Sequence, residues 1–174
     1  MAVVVLNFCK KGKGEKALAK ANVKYIEMRR GKDGAKIKRS LFTATGQITR
    51  QQAYQLIDQA DEGSTFFRIK ISPDPVKEDV NDDLLLKEIT AKTLDIEELI
   101  SKSISWVAAI HDDHTDKRHI HVMAVTKARK LPARDMIHAA TDACIEQRKE
   151  LDLSRQPEQE RESEGRIWQR ERLK

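Results

Sequence analysis

His119 and His121 stand two residues apart at the start of an apolar, β-branched run, Ile120–Val125, that reads as a strand. Side chains alternate across a strand, so both rings project from one face with Cα atoms roughly 6.5–7 Å apart. Ser105–Ile110 reads as a second strand, His111 ends it, and a short polar turn joins the two. Opposed residues of a hairpin face the same side. If His111 lies opposite His119 or His121, all three imidazoles converge. That register holds only if the turn keeps parity, and a bulge would undo it.

Neutral imidazoles suit Zn, Mn, Ni, Co and similar ions, and three of them leave coordination positions open for substrate. Asp112, Asp113 and Asp116 in the turn can orient a ring. Ile104, Trp106, Ala108 and Ile110 share one face with Ile120, Val122 and Ala124 opposite, which predicts packing under helices. Ser105, Val107, Ala109 and His111 share the other face, smaller and less crowded, where the histidines are expected to stand on an open side. An isolated histidine is usually only a solvated side chain. Three at this spacing on adjoining strands are a more specific signal. His114, in the turn, is an alternative ligand.

The rest of the chain alternates strands and helices. Val3–Phe8 reads as a strand, Glu15–Arg30 as a helix ended by Gly31, and Lys32–Gly46 as a basic, glycine-punctuated loop. Leu18, Ala21, Tyr25 and Met28 recur at helical spacing, the pattern of a core stripe. Thr49 caps a helix running through Ala60, and Phe66–Ile71 is a strand stopped by Ser72, Pro73 and Pro75. Asp82–Lys102 reads as one long helix, and Arg134 to about Leu151 as another after Pro132. The hairpin forces at least part of the sheet to be antiparallel, so the fold class is α+β, an antiparallel or mixed central sheet flanked by helices. The domain is expected over residues 1–153, with 154–174 a charged helix or tail.

Composition narrows the function classes. The 174 residues carry a net charge of +5, 33 basic against 28 acidic, a weak preference for a polyanionic partner. Cys9 and Cys144 are far apart with no CxxC, which argues against a disulfide framework or thiolate metal site and fits a reducing compartment. Ala2–Leu6 is too short an apolar run for a signal core or membrane span, so a soluble cytoplasmic protein without membrane insertion is expected.

His119-Ile120-His121 resembles the signature of the histidine–hydrophobic–histidine (HUH) endonucleases. The upstream His111 resembles the third histidine of conjugative relaxases. Val23-Lys24-Tyr25-Ile26, followed by Gly31-Lys32, is similar to the nucleophile motif of plasmid-mobilisation relaxases, and Phe66–Pro73 is similar to their intervening strand. Matching elements run in the expected order from Val3 to Val125. One departure is the Asp-rich segment between His111 and His119, in which His114 is an alternative first histidine.

The resemblance implies an antiparallel sheet flanked by helices, with a ferredoxin-like core and the HUH strand near the middle. It implies a divalent metal, Mn²⁺ or Mg²⁺ first and Zn²⁺, Ni²⁺ or Co²⁺ as alternatives, held by His111, His119 and His121. It implies that Tyr25 attacks a DNA phosphate at a transfer origin and stays joined to the 5′ phosphate. A phenol ionises near pH 10 in water, so it needs activation. Lys24, Arg29 and Arg30 are candidates for that, and Asp113 is a candidate proton acceptor, with no general base assigned. Implied partners are single-stranded DNA or a DNA hairpin, accessory mobilisation proteins and a coupling protein.

Arg29, Arg30, Lys32, Lys36, Lys38 and Arg39 form a basic run after Tyr25, and Arg68 and Lys70 share one face of their strand. These are the candidate phosphate contacts. Aromatics are few, and Phe42 and Phe66 are the candidate stacking platforms. Tyr54 is the rival nucleophile. Competing functions are an HUH replication initiator or transposase, a DNA-binding module without catalysis, and a small-molecule metal hydrolase. The tyrosine ahead of the HUH strand favours the relaxase.

Overall fold

The structure, a computed structural model, describes residues 2–8, 14–31, 33–74, 82–112 and 118–154. Its elements are β1 (Val3–Phe8), α1 (Glu15–Met28), β2 (Leu41–Thr43), β3 (Gly46–Ile48), α2 (Arg50–Asp58), β4 (Thr65–Ser72), α3 (Asp83–Leu94), α4 (Glu97–Ile100), β5 (Ser105–His111), β6 (His119–Thr126) and α5 (Ala133–Ser154). The six strands form one sheet in the order β1-β4-β6-β5-β2-β3, and every pairing is antiparallel. The fold is therefore α+β with a sheet flanked by helices, and the two histidine-bearing strands lie at its centre.

Each face of the sheet has its own core, as strand alternation requires. Phe67, Ile69 and Ile71 of β4 join Trp106, Ala108, Ile120, Val122 and Ala124 under Leu86, Ile89 and Leu94 of α3 and Met136, Ala140 and Ala143 of α5. On the opposite face, Phe66, Val107, Ala109, Met123 and Val125 pack against Ala19, Val23 and Ile26 of α1 and Ala53 and Ile57 of α2.

Three local expectations change. The basic loop hides the β2–β3 hairpin, turned at Thr43–Gly46, and Phe42 pairs with Ala108 of β5. Phe42 also meets Trp106 edge to face at 5.9 Å between centroids. A strand this short takes its stability from its partner, so its own sequence announces it poorly. The expected long helix is broken at Asp95 (φ −93°, ψ 41°) into α3 and α4. Helix α1 ends at Arg29 in an extended conformation rather than at Gly31. By contrast, Thr49 caps α2 with a full capping box to Gln52, and Asp82 caps α3 through Leu84 and Leu85.

Candidate metal centre and adjoining cleft

The β5–β6 register pairs His111 with His119, Ile110 with Ile120 and Ala109 with His121. Parity is kept, and all three rings lie on one face. Their centroids are 5.6 Å (His111–His119), 4.6 Å (His111–His121) and 4.9 Å (His119–His121) apart. One ligand nitrogen from each ring lies within 4.8 Å of the others, so the triad can hold a metal ion.

That face is not open. Helix α1 lies over it, and His111 and His119 are 0% and 2% exposed. Small side chains on the strands let the helix approach: Ala109 is fully buried beneath Ala19 and Val23 of the same core. Only His121 keeps partial exposure. The consequence is a metal-sized cluster roofed on one side and open on the other.

The roof orients the first ligand. His111 Nε2 lies 2.8 Å from the carbonyl oxygen of Ile26 in the last turn of α1. A carbonyl only accepts, so Nε2 carries the proton and Nδ1 carries the lone pair a cation requires. His121 is kept neutral in a different way. Burial, with the neighbouring rings of His111 and His119 and the cations Arg29 and Lys70, pushes it down from 6.5 to about 3. Its Nε2 is buried and has no hydrogen-bond partner among the described residues. A neutral imidazole with an unbonded ring nitrogen in a histidine cluster fits the donor set of a transition-metal site.

Asp112, expected to orient a ring, instead faces Arg118. Arg118 Nη2 reaches Asp112 Oδ2 at 3.4 Å and Asp83 Oδ1 at 2.5 Å. The pairing ties both histidine strand ends to the start of α3. Asp113, His114, Asp116 and Lys32 lie outside the described residues.

Tyr25 does not belong to a core stripe. It is 49% exposed and Leu18 is 43% exposed, because α1 packs through Ala19, Val23, Ile26 and Glu27 instead. Arg29 sits 5.6 Å from the centre of its ring. Tyr25 and Ile26 line a cleft of about 500 Å³ with Val5, Leu18, Asn22, Arg68, Lys70 and His121. The cleft thus brings the tyrosine, one ligand of the triad and the two strand cations to one place. Lys70 pairs directly across from His121 in the β4–β6 ladder.

The other basic residues separate. Lys24, Lys36 and Lys38 are exposed, and Arg30 donates to Gly34 O at 2.9 Å. Arg39 is buried at 8% exposure and donates through Nη1 to Arg29 O at 2.8 Å, closing the end of α1. It serves the fold there rather than an exposed basic surface. Phe42 and Phe66, each 2% exposed, are core side chains and offer no stacking surface.

Sequence reasoning missed Glu27, a carboxylate only 4% exposed that pairs with Arg50 of α2. Its spacing of four from Val23 and eight from Ala19 puts it on the packed face, a signal readable once that face is known. It read Val3–Phe8 as a strand, matching β1, but missed that Val5 and Asn7 form one wall of the cleft. Comparison with protein-family models gives no match, and neither does comparison with curated proteins.

Proposed function

We propose that this protein is a relaxase-type endonuclease that nicks single-stranded DNA through Tyr25. The observation that carries the reading is the shared cleft: an exposed phenol, a neutral imidazole of the histidine triad and two cations line one cavity. A nucleophile, a phosphate grip and an electrophilic centre are the parts that phosphodiester transesterification needs.

In this reading Arg68 and Lys70 hold the phosphates beside the scissile bond. The ion held by His111, His119 and His121 would polarise the non-bridging oxygens. The Tyr25 oxygen attacks phosphorus, a bond forms between them, and the bond to the 3′ oxygen breaks. The phenol gives up its proton, the departing 3′ oxygen takes one up to leave as a hydroxyl, and the 5′ phosphate stays on the tyrosine. Arg29 lies against the ring, beside the position of the attacked phosphate. Imidazole donors suit Zn²⁺, Ni²⁺ or Co²⁺ better than oxygen-seeking Mg²⁺. Cleavage at a transfer origin, with accessory mobilisation and coupling proteins as partners, is the biological setting this chemistry fits. No helix among the described residues is long and apolar enough to cross a membrane.

The test is a denaturing gel of protein mixed with labelled single-stranded oligonucleotides spanning candidate transfer origins, with Mn²⁺ or Mg²⁺. We expect a slow-migrating covalent adduct that Tyr25→Phe, His119→Ala and EDTA each remove. An adduct that persists in Tyr25→Phe moves the nucleophile, with Tyr54 next. Metal-independent binding without any adduct overturns the enzyme in favour of a binding module.

A further inference from the structure

The last turn of α1 divides two cavities. Tyr25 and Ile26 face the cleft above the triad, while Glu27 faces a second cavity of about 620 Å³. This one lies between α1, the β2–β3 hairpin and the first turns of α2. Its lining carries Lys38, Arg39 and Arg50 against one carboxylate, Glu27, which Arg50 already neutralises. Lys38, exposed and unmatched by a second carboxylate in the lining, favours an anion.

Charge alone does not describe the cavity. Gln47 and Gln51, both exposed, bring side-chain amides to it, and Tyr54 brings an aromatic ring. Gln51 offers two donors and an acceptor, and Gln47, whose Nε2 donates to Ser40 Oγ at 3.2 Å, offers its oxygen and its second N–H; together they complement a base edge. A ring offers a stacking face that every base can use. A simple inorganic anion would use only the cations, whereas a nucleotide uses cation, amide and ring together.

We propose that this second cavity is a nucleotide subsite, taking one phosphate–base unit of a single strand whose backbone crosses the end of α1. The proposal rests on reading the first cleft as the place where the scissile phosphate binds. The crossing is about 10–12 Å, the width of one helix with its side chains.

Fluorescence anisotropy with labelled oligo-dT and oligo-dA, in EDTA and on a Tyr25→Phe background, tests it without cleavage. Gln47→Ala with Gln51→Ala alters two exposed residues that take no part in the core or the α2 cap, so folding is kept and thermal denaturation checks it. Tyr54→Leu is the second variant. We expect each to weaken binding about tenfold, the loss of one stacking or bidentate contact. Unchanged affinity in both variants overturns the subsite, even if the Tyr25 adduct forms. Weakened affinity without any adduct from the wild-type protein keeps the subsite and overturns the nicking reaction. Failure of the wild-type protein to bind either oligonucleotide overturns both.

Discussion

His111 Nε2 and the carbonyl oxygen of Ile26 lie 2.8 Å apart, which fastens the end of β5 to the helical turn that carries Tyr25. One hydrogen bond therefore sets the tautomer of a candidate metal ligand and the position of the helix beside it. Both partners are buried, so the bond is shielded from competing water.

The two kinds of histidine in the triad should separate on mutation. His111→Ala loses a buried hydrogen bond and opens a cavity, and should cost about 2–4 kcal/mol. His121→Ala, partly exposed, should cost under about 1 kcal/mol. Both should lose metal binding. Urea denaturation beside calorimetric metal titration checks this, and wild-type metal affinity in His121→Ala would remove that residue from the site.

Acid should weaken the metal-free protein. His121 is pushed down to about 3 in the folded chain, against 6.5 for an ordinary imidazole. Between those values the unfolded chain binds a proton that the folded ring refuses. Stability from this group is thus full above about pH 6.5 and is lost as pH falls toward 3. Urea midpoints measured in EDTA across this window should slope less in His121→Asn than in wild type. Identical slopes would assign the acid sensitivity to other groups.

Glu27→Gln should destabilise by about 2 kcal/mol. Its side chain is 6% exposed and that of Arg50 is 34%, so removing one partner falls between the roughly 3–5 kcal/mol lost on breaking a buried pair and the ~0–1 kcal/mol of a surface pair. Salt should change the loss little. A loss that vanishes in high salt would mean that the pair is a surface feature.

Gln147→Met should stabilise the fold by about 1–2 kcal/mol. Both amide atoms of Gln147 are buried with no hydrogen-bond partner among the described residues, and methionine keeps the length without the polar atoms. A lower unfolding midpoint in this variant would show that the amide is satisfied in solution.

Much of the centre was readable because it obeys a local rule. Alternation put His119 and His121 on one face, and the parity of a single short turn decided whether His111 joined them. Caps were equally local, as at Thr49, where the hydroxyl and Gln52 lie within one turn. The α+β class followed from the same hairpin.

Burial was not readable in this way, because it depends on which surfaces meet. Tyr25 shares a helical spacing with Leu18 and Ala21, yet the sheet meets the neighbouring stripe of Ala19, Val23 and Ile26. Arg39 looks like one more cation of a basic run, until the end of α1 supplies a carbonyl for it. Phe42 becomes core only because β5 offers a partner sixty-six positions away. The sequence by itself determined the strand pair and the common face of His119 and His121, since these depend on the period of the backbone, while the register that adds His111 came from the structure. Only the tertiary structure decided that a helix roofs the triad and leaves Tyr25 exposed beside it, since that depends on contacts between segments far apart in the chain.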